Sequence, residues 1–170
     1  LLRDYPMHAD NYRDDATQEL KDAYESSIRK MHREAERDAL KWLARGRKSD
    51  NLEICKTYNM GFFLRSSGQT VGIDLQWEGG EDEMKKIAAS IDALFVSHPH
   101  DDHYSIGLMK AVLAAGKPVI MSCDIIPEYH SEWKVIVDKD NTDGMEAGGV
   151  SFCSCLGDQG PDAPNNVFVI

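Results

Sequence analysis

The chain has no apolar run near the ~20 residues that a membrane-spanning helix needs, no internal repeat and no low-complexity tract. It lacks a positively charged start followed by an apolar signal segment. It begins at Leu1 and closes inside the strand-like run VFVI, so both ends read as trimmed. The cytoplasm is slightly favoured, and the trimmed start leaves export after signal removal open. Its four cysteines, Cys55, Cys123, Cys153 and Cys155, form no CxxC pair. Cys153 and Cys155 fall on one face of one strand-like run, where a mutual disulfide is strained. Reduced, mostly buried thiols are therefore expected. Positive charge is scarce after residue 50: residues 51–170 hold 8 Lys/Arg against 18 Asp/Glu, which accounts for the whole formal charge of −10. A body this acidic repels phosphate backbones, which makes nucleic acid a poor partner.

What is present is the composition of a globular domain, 42% hydrophobic and 28% charged over 170 residues, enough chain for a real core. Residues 1–13 are polar and aperiodic, an arm. From about Asp15 to Arg45, Leu20, Tyr24, Ile28, Met31, Ala35, Ala39 and Trp42 recur at helical spacing, one apolar stripe suited to docking. Asp14, Asp15 and Thr17 offer caps, and Gly46 stands where a C′ glycine belongs. Charges of both signs interleave on the other side, a solvated face. A helix this long is also a possible homo-oligomer surface. The texture changes after Asn51, which divides the chain into 1–50 (arm and helix) and 51–170.

Beyond that boundary LEICKTYN, GFFLRSS and TVGIDLQ read as strands, the last two joined by a Gly68-Gln69 turn. Glu81 to Ser90 is helical, DALFVS is a buried strand, Ser105 to Ala115 a helix stopped by Gly116, and KPVIMS the next buried strand. Residues 133–138, 149–156 and 167–170 are further strands, with a Gly/Asp/Pro-rich loop at 157–166. Strands first, then strand–helix–strand units, make an α/β layered fold with a mixed sheet.

Half of the six histidines lie in VSHPHDDHYS, directly after the DALFVS strand. His98, His100, Asp102 and His103 form H-x-H-x-D-H. Imidazole nitrogens and a carboxylate are donors that a zinc-like ion accepts, and a loop leaving a strand can turn these positions toward a common centre. Pro99 discourages helix at His98. Without something to neutralise it, such a cluster would repel itself when protonated. Asp101, pointing the other way, is expected at the surface, as is His130.

SHPHDDH resembles the HxHxDH signature of the metallo-β-lactamase superfamily. YNMGFFLRSSGQTVGIDLQ looks like that family's opening hairpin, and IDALFVS, the following helix and KPVIM also fit. The glycine-aromatic hairpin and HYS lean toward the branch of ascorbate-6-phosphate lactonase-like proteins. The resemblance, over about residues 51–170, implies a four-layer αβ/βα sandwich and a metal-dependent hydrolase acting on an ester, lactone or phosphoester of a small molecule. It implies one or two zinc ions, with manganese or iron also suited to the donors. His98 and His100 would hold the first ion, Asp102 and His103 the second. Asp102 would also accept a hydrogen bond from the nucleophile, a water whose pKa a metal lowers from 15.7 to about 7. Asp74, at the family's strand-end aspartate, would orient a ligand histidine; its local alternative is a turn aspartate satisfying nearby amides.

The pattern departs downstream. Family members supply further ligands, including a histidine after a later strand, yet no histidine follows His130. Asp158 stands nearest that place, with Cys155 a softer alternative. The length also accommodates one half of the two-part family fold, so the sandwich is expected to be incomplete, an N-terminal half behind a long helix. Two other readings stay open: a non-catalytic relative with a degenerate site that acts in assembly or binding, and a di-iron redox variant.

Overall fold

A computed structural model describes residues 17–46, 51–137, 141–157 and 165–170. α1 runs Gln18–Ala44. The Thr17 hydroxyl accepts from Leu20 N at 3.4 Å, and Gly46 adopts φ 72°, the left-handed position in which helices end. Backbone contacts divide the chain into Leu1–Met31 and His32–Ile170. In the first unit Leu20 and Met31 are exposed, so the apolar stripe does not bury as one continuous face. In the second, the covered residues of α1 are His32, Glu36, Ala39 and Leu43, a track that includes two polar side chains. Arg65 explains part of this offset. Its guanidinium donates to the carbonyls of Gly46 at 2.7 Å and Leu43 at 3.5 Å and lies 3.9 Å over the Trp42 ring. A cation is thereby placed on the negative end of the helix dipole.

The first sheet has the order β1 (Glu53–Lys56), β2 (Phe62–Ser66), β3 (Gln69–Ile73), β4 (Ala93–Val96), β5 (Val119–Met121), β6 (Lys134–Ile136). Its first two pairings are antiparallel and the rest parallel; α2 (Glu81–Ser90) and α3 (Ile106–Ala114) carry the crossovers β3–β4 and β4–β5, and a loop carries β5–β6. The β2–β3 hairpin turns on Ser67 (φ 49°) and Gly68 (φ 81°), one residue earlier than expected, since those two residues supply the positive φ values of a tight hairpin. A second, antiparallel sheet has the order β7 (Asn141–Ala147), β8 (Val150–Gly157), β9 (Asn165–Val169). β7 went unread in the sequence because NTDGMEA has no apolar alternation and contains a glycine.

Strand β4 is buried at every position. Leu94 and Val96 join a core with Ile87, Leu108, Val112 and Ala39 on the helix side, while Ala93 and Phe95 pack with Val150 and Phe152 toward the second sheet. Phe95 meets Phe152 and Phe168 edge-on at 5.3 and 5.1 Å, which locks the two sheets together. The α/β class with a mixed sheet behind an N-terminal helix is as expected. The described residues supply a helix layer and two sheets.

The four cysteines are free, but none is fully buried, which corrects the expectation. Cys153 and Cys155 alternate with Phe152 and Ser154 along β8, and the inward positions went to the latter pair. No helix of the described residues is long and apolar enough to cross a membrane.

Candidate metal centre

The C-terminal ends of the parallel strands bring the site together. Asp74 follows β3, and Ser97 and His98 follow β4. Asp74 takes φ 49°, which an aspartate tolerates better than most residues, and its N–H bonds the Phe95 carbonyl at 2.9 Å. Its carboxylate then reaches across to the neighbouring strand end. Oδ1 accepts from Ser97 N at 2.8 Å, and Oδ2 accepts from the Ser97 hydroxyl at 2.8 Å. The same Oδ2 lies 3.0 Å from His103 Nδ1.

These bonds assign the protons. An ionised carboxylate only accepts, so His103 carries hydrogen on Nδ1, and in its neutral form the lone pair is on Nε2. Ser97 Oγ, having donated to Asp74, accepts from His98 Nδ1 at 2.9 Å, which leaves the lone pair of His98 on Nε2. That atom faces His100 Nδ1 at 3.0 Å. His103 Nε2 faces Asp102 Oδ2 at 3.8 Å. The rings crowd, with centroids 3.9 Å apart for His98–His103 and 4.5 Å for His98–His100.

His98 and His103 are buried, Asp102 is half-buried, and His100 and Asp101 are exposed. Burial pushes the His98 pKa down, and the neighbouring His103 and His100 push the same way. A neutral imidazole is the form that donates to a metal. At His103 burial also works downward, but the hydrogen bond to Asp74, its charge and that of Asp102 outweigh it, and the net shift is upward.

The donors suit a zinc-type ion in kind, and one pair suits it in spacing. Two nitrogens on one tetrahedral ion, with bonds of roughly 2.0–2.1 Å, stand about 3.3 Å apart. The pair His98 Nε2 and His100 Nδ1 needs only a slight opening to match. The arrangement is two donor pairs, His98/His100 and Asp102/His103. Among the described residues no three His, Cys, Asp or Glu side chains are grouped to hold an ion. Asp158 lies outside the described residues. Cys155 is exposed on the face of β8 opposite the inward Phe152 and Ser154. His130 is exposed.

Three participants were not read in the sequence as site residues. Ser97 links Asp74 to both buried histidines. Asn59, in the β1–β2 turn, donates from Nδ2 to Asp102 Oδ2 at 2.9 Å. Asn166 on β9 donates from its backbone to the Ser97 carbonyl at 2.9 Å and from Nδ2 to Val137 O at 2.5 Å, so the second sheet is pinned against the histidine strand. Ser97 was visible as the residue opening the histidine run, and Asn59 as an asparagine two before a glycine. Asn166 carried no signal.

No family model matches the chain, and no curated protein matches it. Among solved structures, it is similar to a metallo-beta-lactamase from Pontibacter korlensis, at 20% identity over 69% of this chain and 66% of that one, with TM-score 0.42. It is also similar to the CmlA beta-hydroxylase E377D mutant, at 14% identity over 64% of this chain and 25% of that one, with TM-score 0.39. The chain thus spans just under two thirds of the first structure and a quarter of the second.

Proposed function

We propose that the protein is a metal-dependent hydrolase of the metallo-β-lactamase superfamily, acting on an ester, lactone or phosphoester of a small molecule. The observation that carries this reading is the Asp74–Ser97 relay: one buried carboxylate engages Nδ1 of His98, through Ser97, and Nδ1 of His103, so that their Nε2 atoms are the ones turned toward His100 and Asp102.

Residues 51–170 hold the hydrolytic unit. His98 Nε2 and His100 Nδ1 would hold one ion, and Asp102 with His103 Nε2 a second, Asp158 adding a carboxylate. When bound, such a metal supplies an acidified water at neutral pH and a positive charge for a developing oxyanion. The chain's own residues do the rest. Asp74 and Ser97 fix the ring planes and keep a proton on each Nδ1. Asp102, half-buried, has one oxygen engaged by Asn59 and keeps the other available to orient the nucleophile. Zinc suits the donors, as do manganese and iron. The lactonase-like branch is the preferred sub-assignment, on the glycine-aromatic hairpin and the HYS that follows the motif.

Zinc measured on metal-reconstituted full chain tests the reading. One or two ions per chain, lost in His100→Ala, are expected; protein with intact histidines that takes up none at neutral pH refutes it. A second reading, a non-catalytic relative working in assembly through α1, draws on the two-pair donor geometry and on the exposure of Leu20 and Met31. Concentration-dependent self-association that Ile28→Glu with Met31→Glu abolishes would favour it.

A further inference from the structure

We infer that Asn59 is a positioning residue that selects which oxygen of Asp102 faces a cation. The inference rests on the metal-centre reading above and deepens it. The turn at 57–61 is held from several sides. Thr57 N bonds Gly61 O at 2.9 Å, and Gly61 N bonds Tyr58 O at 3.3 Å. Gly61 must be glycine: a Cβ there would stand 2.1 Å from Thr57 Oγ1 and 3.0 Å from the Asp74 carbonyl oxygen. The turn is thus pressed against the backbone of the residue that orients the histidines. The Tyr58 ring stacks on the buried His32 ring at 4.5 Å.

This scaffold ends in Asn59 at φ 56°, a left-handed conformation unusual for any residue but glycine and best tolerated by asparagine. The Lys56 ammonium donates to the Asn59 carbonyl. The side chain so aimed donates to Asp102 Oδ2 across 43 positions of sequence. Strain of this kind persists where surrounding structure over-determines it, and here it places one amide against one carboxylate oxygen. Oδ2 is also the oxygen that faces His103 Nε2, at 3.8 Å, so the amide engages one of its lone pairs and holds the carboxylate with Oδ2 turned toward the place an ion shared with His103 would take. Asn59 therefore acts through Asp102 without itself touching an ion.

The test compares full-length wild type, Asn59→Gly and Asn59→Ala, each stripped and titrated with Zn²⁺ against a chromophoric chelator, with Co²⁺ visible spectra recorded in parallel. Asn59→Gly keeps the left-handed backbone and removes only the amide. Both variants are expected to bind more weakly by about 10–100-fold and to show a changed Co²⁺ spectrum, as for the loss of a group that orients a ligand. In chelator, Asn59→Gly is expected to unfold at the wild-type temperature, which separates this role from a general loss of structure. If Asn59→Gly keeps wild-type affinity and spectrum, whether or not Asn59→Ala is impaired, the inference falls and the metal centre stands. If wild type itself takes up neither ion, both fall.

Discussion

Two buried polar clusters face different ends of the same short segment, residues 74–79, and they are built to opposite rules. Around α1, Glu36 is 1% exposed and His32 is 2% exposed. Glu36 accepts from the backbone N–H groups of Glu78 at 2.5 Å and Gly79 at 3.2 Å and pairs with Arg33, which in turn reaches Glu83 at 3.3 Å. His32 Nε2 lies 3.2 Å from the Gln76 carbonyl. Its carboxylate and imidazole spend their hydrogen-bonding capacity on the protein. At the histidine loop Asp74 is equally well satisfied, yet the nitrogens it controls point at one another or at a carboxylate. Closed clusters brace a fold, and a cluster that aims lone pairs into a shared space invites a guest. The proposed metal reading rests on that difference, and burial of histidine alone would not have made it.

The contrast breaks or sharpens on four variants. The largest effect is expected from His98→Ala combined with His100→Ala. Wild type at zinc a hundredfold above its dissociation constant gains about 2.7 kcal/mol of stability, and the double variant should gain none in thermal unfolding with and without zinc. A zinc-dependent rise that survives in it would erase the distinction between the two clusters. Glu36→Ala comes next. It leaves the backbone donors of Glu78 and Gly79 without their acceptor, while Arg33 keeps Glu83, so chemical denaturation should show a loss of about 1–3 kcal/mol, while the zinc-induced rise stays as in wild type. Asp74→Asn should do the reverse. Asparagine accepts the same positive φ and retains one acceptor, so stability in chelator changes little, whereas zinc affinity by competition drops about 10–100-fold. The smallest effect is expected from His32→Phe, which keeps a ring against Tyr58 but gives up the contact to Gln76 O, for about 1 kcal/mol in urea.

Much of this was legible beforehand. His98, His100, Asp102 and His103 advertise themselves because rare, chemically specific side chains at short spacing have few other uses. Asp74 was singled out only through the family resemblance, at the place of that family's strand-end aspartate. The buried strands at 93–96 and 119–121 were legible because sequence shows apolar runs bounded by turn residues. The α1 cluster was not. Apolar periodicity singled out Met31 and Trp42, while the residues that became buried include His32 and Glu36, whose cost of desolvation is offset by partners about 40 to 50 positions away. Asn59 was hidden for the same reason, its partner lying in another loop.

Sequence alone determined the kind of chemistry on offer, because ligand atoms come only from particular side chains, and it determined the α/β class, because periodicity and glycine placement are local. Tertiary structure decided which nitrogens carry protons and which carboxylates close on the fold instead of opening to solvent. Those choices depend on contacts between strand ends and turns that meet only after the sheet has assembled, and no local pattern encodes a distance across it.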